Sequence, residues 1–446
     1  MRILIIGAVA GGMSAASKLK RLDPDSEIVV FEKGEDVSYG ACGLPYYLSG
    51  AVESDQKLVA RTPGKFRESG IDLRLKHEAT HVDPKAKTVT VFDHASNQGK
   101  EEPYDKLLIA TGARAIRLPV DGSDLENIHT LASLEDGRHL HAALRREGVK
   151  KVALIGAGYI GVEVSEALRD LDLEVTVIEQ ASHVLPNFSP MVGKTVEKTL
   201  REHKVELRLS ETVKAYKGKE KVSEVITDKG RIETDLVIEA IGIRPNTAFL
   251  DSTGIKTLKN GAIVVNDKME TSLEDVYAAG DCAAMPNRLT GQPSYLPLGT
   301  HANKAGRVVA ERLAGHDVTF DGVIGSTVLK AFDLEVARTG LTDKEAEESD
   351  TFDVKTTTIK APDRSGYYPG ATPVEIKLYH DRQTCRLLGC EMVGRSGVAH
   401  RINIMATAIS HQMTAKAFAQ LDLAYAPPFS PVWDPLQTAC NQIKCG

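Results

Sequence analysis

From Lys151 to Gly161 the chain reads Lys-Val-Ala-Leu-Ile-Gly-Ala-Gly-Tyr-Ile-Gly, an apolar strand running into Gly156, Gly158 and Gly161. Residues 162–171 then carry apolar positions at helical spacing, and a second apolar strand, 174–178, ends in Glu179. Strand, Gly-x-Gly-x-x-Gly turn, helix, strand and terminal acid leave little choice of fold, because this is the βαβ unit that seats a dinucleotide. Its glycines let backbone approach a pyrophosphate, the helix amides face that charge, and the acid takes the ribose hydroxyls. Gly156, Gly158, Tyr159, Ile160, Gly161 and Glu179 are therefore candidate cofactor contacts. A carboxylate at Glu179, with Gln180 and no arginine beside it, favours a free 2′-hydroxyl, so NADH is expected, with NADPH as the alternative.

A second and weaker copy opens the chain. Strand Arg2–Ile6 enters Gly7-Ala8-Val9-Ala10-Gly11-Gly12, a small-residue helix follows over 13–21, and strand 27–31 ends in Glu32 and Lys33. Val9 replaces the middle glycine, and taken alone such a turn also suits a Rossmann unit that binds nothing. Later segments support binding. The apolar run 104–112 ends in Ala110-Thr111-Gly112, where small residues let backbone approach a ligand. Thr111 and Gly112 thus join Gly7, Ala10, Gly11, Gly12, Glu32 and Lys33 as candidates. The run 236–246 closes the second unit around Gly242. Residues 276–282 end in Ala279-Gly280-Asp281-Cys282, which offers Asp281 to a ribityl hydroxyl. The helix begun by Leu298, Thr300 and Ala302 presents N-terminal amides to a flavin carbonyl or phosphate. Cys282 is expected to be structural and His301 to cap or support.

At 446 residues the chain is too long for one core. The fold class expected is α/β: two Rossmann-like nucleotide-binding domains plus a C-terminal α+β domain. Residues 1–118 and 249–322 would form the first nucleotide domain in two parts, 119–248 the second, and 323–446 the α+β domain. The last carries strands near 328–332, 336–339, 353–360, 372–379 and 387–393, and helices near 402–410 and 415–418. Net charge is −6, giving no general electrostatic reason to bind nucleic acid. No apolar run approaches bilayer length and nothing resembles a signal peptide, so a cytoplasmic protein without a membrane partner is expected.

Two nucleotide folds imply two redox cofactors meeting near a reactive group. The stretch 37–47, Val-Ser-Tyr-Gly-Ala-Cys-Gly-Leu-Pro-Tyr-Tyr, supplies Cys42 just beyond the first unit. A lone cysteine there also suits a buried structural thiol; the flanking nucleotide folds favour a redox nucleophile beside a flavin. The six cysteines contain no Cys-x-x-Cys pair. Cys385 with Cys390, and Cys440 with Cys445, are spaced like metal half-sites, but no histidine cluster supports one and no metal is expected.

The whole set of motifs resembles the single-cysteine branch of the flavin- and pyridine-nucleotide-dependent disulfide reductases, and within it the coenzyme A disulfide reductases. The resemblance rests on residues 7–12 with Glu32, Cys42-Gly43-Leu44-Pro45-Tyr46, Ala110-Thr111-Gly112, residues 156–161, Ala279-Gly280-Asp281, and two C-terminal tyrosine segments, 364–370 and 423–433. It implies FAD on the first domain, NAD(P)H over its opposite face through the second, and a homodimer whose partner C-terminal domain closes the site at Cys42. It further implies that Tyr367 and Tyr425 approach from that partner, with Tyr425 the proton donor to a departing thiolate and Tyr368 an alternative to Tyr367. Ser38 or Tyr39, and Lys20 or Arg21, would contact coenzyme A, whose phosphates suit basic side chains.

The reaction implied is reduction of coenzyme A disulfide through a Cys42–S–CoA mixed disulfide. Ionisation of Cys42 would be favoured by a helix N-terminus after Gly40-Ala41 and by the flavin. One alternative is a coenzyme A persulfide or polysulfide reductase; many of these carry an extra sulfur-transfer domain, which an end at Gly446 is expected to exclude. Another is an NADH oxidase or peroxidase working through a Cys42 sulfenic acid, against which stands Ala10, where those enzymes carry histidine. A flavoprotein sensor without turnover is the non-enzymatic reading.

Overall fold

The computed structural model describes residues 1–444; Cys445, noted above for its half-site spacing from Cys440, lies outside the described residues, as does Gly446. The opening strand Arg2–Ile6 is buried on both faces and pairs in parallel with Glu27–Glu32 and Lys106–Ile109. Asp72–Leu75 and Val276–Ala278 extend the parallel sheet at its two edges, so the chain returns to the first unit after leaving the second. Burial of Ile3, Leu4 and Ile5 at 0% exposure contributes ~2 kcal/mol per side chain and explains the near-continuous apolar run. Helix Ala10–Leu22 packs against the late helix Gly299–Leu313. A Cβ on Gly306 would strike the Gly11 carbonyl, so this pairing requires glycine. An antiparallel sheet, His77–Asp83, Thr88–Asp93 and Gln98–Pro103, sits beside this layer.

The second lobe repeats the plan, with parallel strands in the order Val205–Leu209, Glu174–Glu179, Lys151–Ile155, Leu236–Glu239 and Ile128–Thr130. The lobes are joined by a two-stranded ribbon, Ala113–Ala115 against Ile243–Pro245. Helix Leu134–Leu144, which the sequence reading did not place, begins at a capping box in which the Ser133 hydroxyl accepts from the Asp136 N–H at 3.0 Å.

The C-terminal part is a five-stranded antiparallel sheet, Thr327–Ala331, Leu334–Gly340, Leu387–Gly394, Pro373–Asp381 and Val354–Pro362 in spatial order. Helices Val398–Ser410, Ala415–Ala419 and Pro435–Asn441 accompany it. All five strands and the first two helices fall where they were expected. The sheet shares a core with the second lobe through Leu329, Leu334 and Val336. Across that junction the buried Glu391 accepts from the Ser189 N–H with both oxygens, at 3.0 and 3.1 Å. Among the described residues no helix is long and apolar enough to cross a membrane, and no three metal-ligating side chains cluster.

Candidate active site

Both glycine turns carry the same acid geometry. Glu32 accepts from the Ala8 N–H and the Gly34 N–H, each at 2.9 Å. Glu179 accepts from the Ala157 N–H at 2.7 Å and the Ala181 N–H at 2.8 Å. A Cβ on Gly12 would strike the Gly7 carbonyl, and one on Gly161 the Gly156 carbonyl. At Gly158 a Cβ would meet nothing within 4 Å, leaving the turn open above the backbone. Helices Ala10–Leu22 and Tyr159–Asp170 begin without a side-chain cap and without an acid in the first turn, so their terminal amides stay available to a phosphate. These cradles fit two dinucleotides.

The other expected cofactor contacts surround them. Gly7, Gly112, Gly242 and Gly280 all have positive φ. The Thr111 hydroxyl donates to the Asn246 carbonyl at 2.7 Å, which leaves its backbone, not its hydroxyl, for a ligand. Burial raises the pKa of Asp281 above the ordinary carboxylate value. Leu298 stands at the uncapped start of Gly299–Leu313, with Thr300 and Ala302 in its first turn. His301 lies 3.0 Å from the Leu296 carbonyl, a supporting contact. Tyr159 packs against Phe188 at 5.7 Å, Ile160 joins the apolar core, and Lys33 is exposed.

Cys42 sits in a single 3-10 turn, Ala41–Gly43, followed by the short helix Leu44–Ser49. That helix is clamped onto the second lobe. The Tyr46 hydroxyl donates to Glu163 at 3.2 Å, Tyr47 stacks on His141 at 4.5 Å, and Arg145 donates to the Leu48 carbonyl at 3.0 Å. Arg138 grips Asp36 through two bonds of 2.7 and 2.8 Å and Asp55 through one of 2.6 Å. Cys42 is exposed. Partial desolvation of its thiol, then the charges of Glu163 and Asp281, push its pKa above the ordinary value. The chain's own groups thus oppose the ionisation expected from a helix N-terminus, because the sulfur lies in the turn before the helix and faces carboxylates. Cys282, by contrast, is fully buried with its thiol 3.4 Å from the Ile109 and Ala279 carbonyls, as a structural cysteine should be.

A cavity of about 440 Å³ opens beside this stretch. Arg21, Ser38 and Tyr39 line it as the sequence suggested, Ala10, expected as a cofactor contact, lines it too, and Arg61 and Arg307 add two further guanidinium groups. Lys20 does not take part: its ammonium donates to the Pro24 and Ser26 carbonyls at 2.7 and 3.2 Å, on another face of the same helix. Ser14, Ser17 and Asn303 were missed; Ser14, Ser17 and Arg21 share one helix face, as do Asn303 and Arg307, and that spacing is the available signal.

On the C-terminal domain the Tyr367 and Tyr425 hydroxyls are 3.2 Å apart. Tyr367, Tyr368, Tyr425, Phe429, Val432 and Trp433 are all exposed, forming an apolar face. The two tyrosine-bearing loops are tied together by buried Arg401, which donates to Asp434 at 2.8 Å and to the Asp363 carbonyl at 2.9 Å.

Two nucleotide cradles flanking an exposed cysteine define a two-cofactor redox flavoprotein. The chain belongs to the pyridine nucleotide-disulphide oxidoreductase family, whose model matches residues 1–306, with the family's dimerisation domain matching 327–436. It is an FAD- and NAD(P)H-dependent oxidoreductase with a dimerisation domain. It is 39% identical over 444 residues to the CoA-dependent NAD(P)H sulfur oxidoreductase of Pyrococcus abyssi, covering 99% of this chain and 98% of that one. To the coenzyme A disulfide reductase of Staphylococcus aureus it is 34% identical, covering 96% of each chain. The structure of an NAD-dependent persulfide reductase from A. fulgidus superposes with a TM-score of 0.95 at 38% identity, over 99% of this chain and 82% of that one.

Proposed function

We propose that the protein is a coenzyme A-dependent persulfide or polysulfide reductase that uses Cys42 as nucleophile and works as a homodimer. The observation that carries this is the arginine-lined cavity reaching Ser38, Tyr39 and Gly40, just ahead of Cys42. Three guanidinium groups in one cavity suit the phosphates of coenzyme A, and the open end suits a thiol delivered to sulfur. The stronger similarity to sulfur and persulfide reductases than to the coenzyme A disulfide reductase supports a persulfide in place of the disulfide favoured by the sequence reading.

Gly7, Gly11, Gly12, Glu32, Thr111, Gly112, Asp281 and the start of Gly299–Leu313 would hold FAD; Gly156, Gly158, Gly161, Glu179 and Gly242 would hold NAD(P)H. Bound there, the flavin supplies an electron pair originating in the reduced nicotinamide. The Cys42 thiolate attacks the inner sulfur of a coenzyme A persulfide, expels hydrosulfide and forms a Cys42–S–CoA disulfide. Two electrons and one proton then split that disulfide into coenzyme A thiol and the Cys42 thiolate. Tyr425 of the second subunit, hydrogen-bonded to Tyr367, would give the proton to the departing sulfur. NADH-dependent hydrosulfide release from coenzyme A persulfide, compared with turnover of coenzyme A disulfide, tests this reading. Faster use of the disulfide would reverse it.

A further inference from the structure

Helix Leu134–Leu144 of the second lobe turns one stripe of side chains toward the cysteine segment. Arg138, His141 and, just past the helix end, Arg145 recur at helical spacing, and each takes a different part of that segment. Arg138 bonds Asp36 and Asp55, His141 stacks on Tyr47, and Arg145 donates to the Leu48 carbonyl. Leu44 and Leu48 are buried in the core of the second lobe, which pins helix Leu44–Ser49. The turn Ala41–Gly43 that carries Cys42 has no buried residue and no such anchor. A neighbouring segment holds it instead. The Gly40 N–H donates to the Leu58 carbonyl at 2.9 Å, and the Ala60 N–H to the Ser38 carbonyl at 2.8 Å, around an antiparallel bridge of Tyr39 with Val59. A Cβ on Gly43 would strike the Leu58 side chain. Gly40 and Gly43, on either side of Cys42, therefore both rest on Leu58.

The two segments are tied at one guanidinium. Asp36 precedes Ser38 on the cysteine side, and Asp55 opens the 3-10 turn Asp55–Leu58 on the other. Between Asp36 and Cys42, Ser38 keeps a φ of +50°, a left-handed conformation that a residue other than glycine holds only where its surroundings impose it. We propose that Arg138 is a positioning residue: by tying Asp36 to Asp55 it fixes Leu58 against Gly40 and Gly43, and so holds Cys42 in register with the arginine-lined cavity. That cavity takes Ser38, Tyr39 and Gly40 of its wall from one of the tied segments and Ala60 and Arg61 from the other. Arg138 itself touches no reacting atom and moves no proton. The inference rests on Cys42 as the reacting thiol, as proposed above, and adds that a side chain of the second lobe sets its placement.

The test compares two reactions of Cys42 in wild type and Arg138→Ala, both FAD-loaded, reduced with dithiothreitol and desalted. Single-turnover formation of the Cys42–S–CoA disulfide from coenzyme A persulfide, followed by peptide mass, needs thiol and cavity in register and should slow by about tenfold or more. Alkylation by iodoacetamide, which does not use the cavity, should be unchanged or faster. Hydrogen–deuterium exchange should rise in peptides spanning 36–61 and not in the two glycine turns. Adding Asp36→Asn to Arg138→Ala should change nothing further, because the same tie is already open. Asp55→Asn reads the tie if Arg138→Ala does not fold. Equal slowing of both reactions, undiminished formation of the coenzyme A adduct, or unchanged exchange over 36–61 overturns the inference. Failure of the proposed function would appear separately, in wild type, as the absence of any coenzyme A adduct on Cys42; exchange over 36–61 then still decides whether Arg138 positions the segment.

Discussion

The Tyr367 and Tyr425 hydroxyls stand 3.2 Å apart on an exposed face of the C-terminal domain, and their mutual bond lowers the pKa of Tyr367 while raising that of Tyr425. Either hydroxyl can donate to the other, and a tyrosine carries its proton at neutral pH, as the donor role proposed for Tyr425 requires. Tyr425→Phe should slow persulfide turnover by about tenfold or more. Stopped-flow reduction of the flavin by NADH should be nearly unchanged, and equal loss of both half-reactions would remove the donor role. Tyr367→Phe should have the smaller effect.

Arg21, Arg61 and Arg307 converge on one cavity. Each changed singly to alanine should raise KM for coenzyme A persulfide by about tenfold with little change in kcat, as expected for loss of one charge-assisted bond. The increase should shrink at high salt, because screening weakens the contact already in wild type. Lys20→Ala should leave KM unchanged, since its ammonium is spent on backbone carbonyls.

Glu179 presents a carboxylate at the end of its strand, bonded to the Ala157 and Ala181 amides. Glu179→Gln keeps the size and removes the charge, so kcat/KM with NADPH should rise relative to NADH. Steady-state comparison of the two nucleotides measures this, and an unchanged ratio would locate the selectivity elsewhere.

Burial lifts the Glu163 carboxyl from 4.5 to about 7, so between those values the folded protein keeps a proton that the unfolded chain has released. Its contribution to stability is full below 4.5 and is lost as pH climbs through about 7. Glu163→Gln, which cannot ionise, should therefore melt higher than wild type at pH 8, with the gap narrowing by about pH 5. Thermal melts across this range check it; a pH-independent gap would contradict it.

Arg401 and Asp434 form a buried pair, each 6% exposed. Arg401→Ala should cost ~3–5 kcal/mol, measured by denaturant unfolding, because it strands a buried carboxylate. The same change frees the loops that carry Tyr367 and Tyr425, so activity should fall beyond what the lost folded fraction explains.

The two nucleotide lobes were legible because each rests on a local pattern: glycines at fixed spacing, an apolar strand on either side, and a terminal acid. The five C-terminal strands were legible from alternation and flanking turns. The arginine cavity was only half visible, since Arg61 and Arg307 come from elements remote from the first helix and meet only after folding. Of the alternatives Lys20 and Arg21 only Arg21 lines the cavity, because neighbouring residues are turned about 100° apart on a helix. Arg138, Glu163 and Arg401 were missed because their hydrogen-bond partners Asp36, Tyr46 and Asp434 are 102, 117 and 33 residues away, beyond the reach of any local pattern.

The most direct test of the account is the mass of Cys42-containing peptide from FAD-loaded protein exposed to coenzyme A persulfide, with and without dithiothreitol. The account predicts coenzyme A on Cys42, released by the reductant and by NADH, with hydrosulfide formed in step. A sulfenic acid at Cys42 with no coenzyme A adduct, or NADH oxidation that leaves the persulfide intact, would contradict it.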